Sequence, residues 1–390
     1  WEQLPSTVFV QILSYLPLTD RLNATSVCRT WRGCLFQPCL WRSIDFSVNI
    51  LGRKRAKLLS KMCARFVREV HLNFSASFYA DVKETLKILR ELTTNPNLER
   101  LTLRPSSCQL GWPEREANHC KELIVNSLKE IIINSRRLKH LSLGCIGELT
   151  DASDDLLLLL LKHQSQHLTS LHINSVKEDP YSYRLLDLPE LTFSGFHCLS
   201  TLGIDYDYVT NALFHSFIHS NKTSLDSIII HVHGISADHE VISNDTWHQM
   251  VSANPNLGVT LNLIHSIDGS SDMLHLLKPA MPLMHLRQFF CEGINISAMR
   301  FISQHVVSRL RSIVIVDGME NEIALEEGRE VFPPFPNMYM SHDMDEDPFV
   351  MLAWKAPNLE RLTLIGYEIM QEDVVAIARL RGPHLKHLEI

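Results

Sequence analysis

The sequence has no C-x-x-C pair, no long apolar run and no excess of basic charge. Each absence removes a class of function. Nine scattered cysteines, an odd number, predict reduced thiols and an intracellular setting, cytoplasmic or nuclear, rather than a disulfide framework. No apolar run exceeds six residues, Leu156 to Leu161 for instance, far short of the roughly 18 that a membrane span needs. A net charge of −7 argues against a general nucleic-acid surface. The phosphate-binding patterns G-x-x-x-x-G-K and G-x-G-x-x-G and the nucleophile pattern G-x-S-x-G do not occur. Asn-x-Ser/Thr triplets such as Asn73–Phe74–Ser75 are read as chance, not as glycosylation sites.

What is present is a chain of 390 residues, 45% hydrophobic, enough for a large core and two or three domains. It begins at Trp1 and stops at Ile390 inside a repeated pattern, so a fragment with a capping segment beyond it is expected.

The opening stretch "STVFVQILSYL", Ser6 to Leu16, reads as a helix with inverted proportions. Val8, Phe9, Val10, Ile12, Leu13, Tyr15 and Leu16 are apolar, and Thr7, Gln11 and Ser14 form only a narrow polar stripe. A short turn of helix follows at Arg21–Ala24, then a third helix with Ser26 as N-cap candidate and Val27, Cys28, Trp31 and Leu35 on one face. Pro38 ends it, and Trp41 closes the unit. Near 40 residues a chain seldom covers two apolar faces by itself. Each large side chain left in water forfeits about 1.5–3 kcal/mol. Either the following domain or a separate protein could supply the cover.

"LPSTVFVQILSYLPLTDRLNATSVCRTWRGCLFQPCLW" resembles an F-box: Leu4–Pro5, the apolar helix, the Asp20–Arg21–Leu22 turn, Val27–Cys28–Arg29–Thr30–Trp31 and Leu40–Trp41. The resemblance implies docking on the adaptor Skp1, and through it on cullin-1 and a RING subunit of an SCF ubiquitin ligase. Carried over by position, Leu4, Pro5, Val8, Ile12, Leu13, Leu16, Leu22, Val27, Cys28 and Trp31 are the implied Skp1-binding set. The acidic residue that many members carry soon after Leu-Pro is missing, since Ser6–Thr7–Val8 stands there.

A repeat runs through the rest. "NPNLERLTL" at 95–103 returns as "APNLERLTL" at 356–364, with relatives such as "RRLKHLSL", "QHLTSLHI" and "SRLRSIVI". The first apolar position of L-x-x-L-x-L falls at Val67, Leu98, Leu138, Leu168, Leu199, Leu225, Leu257, Leu286, Leu310, Leu359 and Leu385, with a one-residue slip at Leu257. Helical patterns such as "DVKETLKILRELTT" and "TNALFHSFIHS" precede most of them. Helix then short strand, at a period of about 28, is the signature of a leucine-rich-repeat solenoid. The expected architecture is α/β: a three-helix F-box over 1–45, a connector helix over 46–66, and an irregular solenoid over 67–390 with a curved parallel sheet. The basic run Arg53 to Arg68 is read as that connector. Within the F-box class, "LLKPAMPL", "DEDPFVMLAW" and "AIARLRG" resemble one subgroup.

Strand alternation sends the residues between the aliphatic positions to the concave face. The expected central row is His71, Thr102, Ser142, His172, Gly203, Ile229, Asn262, Phe290, Val314, Thr363 and Glu389. Ile229, Phe290 and Val314 stand out as large apolar residues and are the candidate substrate contacts; the alternative is that an insert after Ile315 covers them. That insert, 317–347, carries ten acidic residues and one arginine, leaving +2 for the rest of the chain. A solvated loop is one reading of it; a lure for a basic target or a shield over the concave face is the other.

The pairs His163/His167 and His215/His219, and His231–Val232–His233, have metal-compatible spacing. No H-E-x-x-H accompanies them, and with twenty histidines such pairs arise by chance. No metal, cofactor or catalytic residue is expected. The reading is a non-catalytic receptor that holds an unknown protein substrate, with no membrane or nucleic-acid partner. The alternatives are a Skp1-binding scaffold that regulates a partner without ubiquitylation, and a metal-dependent enzyme for which only the histidine pairs speak.

Overall fold

The computed structural model describes residues 4–108, 110, 113–150, 152–177, 192–219, 224–236, 238–291, 293–317, 347–367 and 369–390. The chain divides into two units, Trp1–Ser170 and Leu171–Ile390. Both alternate helices with parallel strands, the α/β arrangement of a leucine-rich-repeat protein. Among the described residues no helix is long and apolar enough to cross a membrane.

The first unit opens with helices α1 (Ser6–Ser14), α2 (Leu18–Ala24) and α3 (Arg29–Cys34), then a 3-10 turn at Pro38–Trp41. Strands β1 (Ser43–Val48), β2 (Glu69–Phe74), β3 (Arg100–Pro105) and β4 (His140–Ser142) pair in parallel, in chain order. Between them lie α4 (Arg53–Cys63), α5 (Tyr79–Leu92) and α6 (Glu114–Asn134). The register aligns Ile44, Val70, Leu101 and Leu141 in one inward row, and Phe46, Leu72 and Leu103 in the next. All seven are buried, so each repeat closes its neighbour's core. The connector expected over 46–66 contains α4 but also the end of β1. The sheet therefore starts at Ser43, one repeat earlier than Val67.

A short strand β5 (Ser170–His172) spans the division between the units. The second unit holds β6 (Thr201–Asp205), β7 (Ser227–Val232), β8 (Gly258–Ile264), β9 (Leu283–Phe289), β10 (Ser312–Val316), β11 (Arg361–Ile365) and β12 (His387–Glu389), again parallel and sequential. Four of its described helices start where a short polar side chain accepts from free N–H groups. Thr210 accepts from Leu213, Ser243 from Thr246, Asn295 from Ala298, and Asp347 from Phe349 and Val350. The slip at Leu257 lies just ahead of a regular β7–β8 ladder, Ser227–Gly258 through Val232–Leu263. The irregularity is on β9: Val259 and Thr260 pair with Leu283 and His285, which leaves Met284 as the extra residue of a bulge. The acidic insert lies outside the described residues except at its ends, Asp317 and Asp347.

Amide side chains tie repeat to repeat. Asn95 Nδ2 donates to the Val67 carbonyl at 2.6 Å. Gln164 Oε1 accepts from Leu138 N at 3.0 Å while its Nε2 donates to Ile132 and Ser135. In the second unit Asn254 Oδ1 accepts from Leu225 N at 2.7 Å. Each amide stands at or just after the C-terminal end of a helix and pairs backbone groups that would otherwise be buried without partners. At these three places the amide stands a few residues before the motif of its own repeat, ahead of Leu98, Leu168 and Leu257.

Candidate functional site

Helix α1 is apolar on two sides because it has two jobs. Phe9 and Leu13, four residues apart, face inward; Leu13 is 0% exposed and Phe9 5%. Phe9 packs on Trp31 with ring centroids 4.3 Å apart, and Leu35, Leu40 and Trp41 complete a closed core. Val8, Ile12 and Tyr15, at the same helical spacing one residue over, face outward at 41%, 38% and 80% exposure. Val27 at 66% and Phe36 at 56% are also exposed. Leu4, Leu16, Leu22, Cys28 and Trp31 are half-buried, and Pro5 is exposed. The implied Skp1-binding set thus splits: Leu13 belongs to the unit's own core, and the remainder retains accessible surface. Tyr15 and Phe36 were not in the set, although Tyr15 falls on the Val8–Ile12 stripe.

Arg21 fixes this arrangement. Its Nε donates to the Leu13 carbonyl at 3.1 Å and Nη2 to that of Leu16 at 3.0 Å. Nη1 donates to the Leu40 carbonyl, and the guanidinium lies over the Trp41 ring at 5.8 Å. The carbonyls at and just beyond the C-terminal end of α1 thereby meet a cation and are linked to the 3-10 turn. Burial lowers the Arg21 pKa from its ordinary value. Trp41 Nε1 donates to the Leu35 carbonyl, which satisfies the indole inside the core.

On the strands, the observed register corrects the expected concave row, since Ile229 stands beside Thr260 and not Asn262. Ile229 pairs with Gly203 and Thr260, and through them the row runs to His285 and Ser312. Val314 belongs to a different row, with Arg287, Asn262, His231 and Asp205. Three strand spacings, about 14 Å, separate β7 from β10, so Ile229 does not join Val314 in one cluster. Phe290 falls just beyond β9, at φ +54°, with its N–H donating to the Val316 carbonyl at 2.8 Å and its ring stacked 5.3 Å from His265. All three side chains are half-buried.

The second row ends in a buried polar network. Ser175 N donates to Asp205 Oδ1 at 2.8 Å and its hydroxyl to Oδ2 at 2.6 Å. His231 Nδ1 and His233 Nε2 contact the Ser175 carbonyl at 2.8 and 3.0 Å. Lys177 pairs with Asp207. Burial raises the Asp205 pKa to about 7 against the pull of the two Ser175 bonds, and lowers both histidines to about 4. The sequence pattern marked His231 and His233 but not Asp205, which only the β6–β7 register brings beside them. The pairs His163/His167 and His215/His219 remain helical neighbours; the latter rings stack at 5.7 Å.

The F-box-like family matches residues 1–47. Over 99% of its length, the chain is 27% identical to F-box only protein 33 of Homo sapiens, of which it covers 76%. It is 22% identical to F-box/LRR-repeat protein 21 of Bos taurus over 100% of the chain and 82% of that protein. With F-box/LRR-repeat protein 8 of Bos taurus it shares 24% identity over 84% of the chain and 85% of that protein. The subgroup suggested by "LLKPAMPL", "DEDPFVMLAW" and "AIARLRG" is that of F-box only protein 33. The chain thus carries an N-terminal F-box-like domain and is, over most of its length, a homologue of F-box only protein 33 and the F-box/LRR-repeat proteins.

Proposed function

We propose that the chain is the substrate-recognition subunit of an SCF ubiquitin ligase. The F-box docks on Skp1, which joins it to cullin-1 and a RING subunit, and the repeats hold a protein target for ubiquitylation and degradation. The carrying observation is the apolar face left on a folded unit. With Phe9, Leu13, Leu40 and Trp41 already closed into a core, Val8, Ile12, Tyr15 and Val27 still meet solvent. Such a patch on a structured surface marks a protein contact. In this reading the chain supplies proximity and orientation, not bond chemistry, and acts inside the cell. Half-buried Ile229, Phe290 and Val314 are target contacts belonging to two separate parts of the repeat face.

Recognition without ubiquitylation is distinguished in cells. Proteins captured by the wild-type chain should turn over more slowly when Leu4→Ala/Pro5→Ala replaces it, while capture itself persists. Equal turnover with both chains would overturn the receptor reading and leave a Skp1-binding scaffold.

A further inference from the structure

Asp205, His231 and His233 come together because of strand geometry. Asp205 and His231 are register partners on β6 and β7. His233, two residues after His231, returns to the same side of the chain. One ligand atom from each lies within 4.8 Å of the others, and all three residues are buried. The Ser175 carbonyl stands among them, 2.8 Å from His231 Nδ1 and 3.0 Å from His233 Nε2, while His233 Nε2 is 3.9 Å from Asp205 Oδ1. Around a zinc-class ion with nitrogen and oxygen ligands at about 2.0–2.2 Å, neighbouring ligand atoms stand about 3.0–3.5 Å apart. The observed spacings bracket that range.

The surrounding groups suit such an ion. A metal-bound imidazole donates its other N–H to a carbonyl or carboxylate. His233 Nδ1 is buried without a hydrogen-bond partner, so its N–H is free to turn to a carbonyl once Nε2 is engaged. Asn174 now directs its amide nitrogen at His231 Nε2, 2.7 Å away, which leaves its buried Oδ1 without a hydrogen-bond partner. Rotating the amide by half a turn places that oxygen on a His231 Nε2–H and frees Nδ1 as a ligand; amide orientation is an assignment of this kind. Of the nearby cations, Lys177 is neutralised by Asp207, and Arg287 projects from β9 two strands from His231.

We propose that Asp205, His231 and His233, with the Ser175 carbonyl, form a closed site for one zinc-class divalent metal that pins the Asn174–Lys177 segment against β6 and β7. Imidazole and carboxylate donors select this class over calcium or magnesium. Burial of every side-chain ligand makes the site structural, with no open position for a reacting water. This is independent of the ligase reading, because its test reads metal and not adaptor.

The full chain, produced with zinc and then passed through a chelator and gel filtration, is assayed for bound metal by mass spectrometry. Wild type should retain one equivalent, and Asp205→Asn and His233→Gln should each lose about tenfold or more. Asn174→Ala should weaken zinc affinity by about 10–100-fold. The exposed pair His215→Gln/His219→Gln should change nothing. Should the ligand variants fail to fold, wild type alone decides: prolonged chelation should lower its thermal midpoint and zinc should restore it. A wild-type chain without stoichiometric zinc and with a chelator-insensitive midpoint overturns the proposal. So does metal that persists in folded Asp205→Asn and His233→Gln, or that disappears with the surface pair.

Discussion

Leu13 and Val8 share one helix and have opposite environments, and their substitutions should separate accordingly. Leu13→Ala removes a fully buried side chain. It should cost about 2–5 kcal/mol of stability, read from denaturant midpoints. Val8→Asp alters a side chain that is 41% exposed and should stay within about 0.5 kcal/mol in the free chain. Arg21→Lys tests the clamp. A lysine ammonium cannot span the carbonyls of Leu13, Leu16 and Leu40 that the planar guanidinium reaches. A loss of about 1–3 kcal/mol is expected, because hydrogen bonds to a charged group are abandoned at partly buried carbonyls. Unchanged unfolding of Arg21→Lys would remove the clamp from the account.

At the scale of elements, what holds one repeat to the next is a parallel ladder, a shared apolar row and an amide tie. Asn254→Ala strips the partner from the buried Leu225 N–H, and Asn95→Ala does the same for the Val67 carbonyl. Each should destabilise its own unit by about 1–3 kcal/mol, seen in urea unfolding and as faster hydrogen exchange in the strand beside the tie. An exchange pattern unaffected around β7 in Asn254→Ala would show that the ladder alone sets the repeat junction. The β9 bulge is the other element-scale device. With Met284 inserted opposite the Val259–Thr260 step, Asn262 stands beside Arg287, where an unbroken register would set it beside Leu286.

Across the whole molecule, the parts legible in the sequence were those written as local patterns. L-x-x-L-x-L spacing marks strands without any knowledge of contacts, and the opening motif marks the F-box helices. The first strand escaped because its repeat is spelled with Trp41, Ile44 and Phe46, the same spacing in aromatic and β-branched letters. Row membership was harder to read, since one inserted residue in β9, Met284, changes which side chains stand side by side from there on. The Asp205 cluster was invisible for a similar reason: its members are 26 residues apart and meet only through register. Leu13 matched the motif, yet whether a motif residue faces inward or outward is decided by how the three helices pack, which buries Leu13 and leaves Val8 exposed.

If another protein finishes the Val8–Ile12–Tyr15 face, co-expression of the full chain with Skp1, followed by affinity purification and gel filtration, tests it directly when Val8→Asp/Ile12→Asp is run beside wild type. Wild type should give a one-to-one complex and the variant none, with both chains folded by circular dichroism. A wild-type chain that elutes as a stable monomer, indifferent to Skp1, would contradict it.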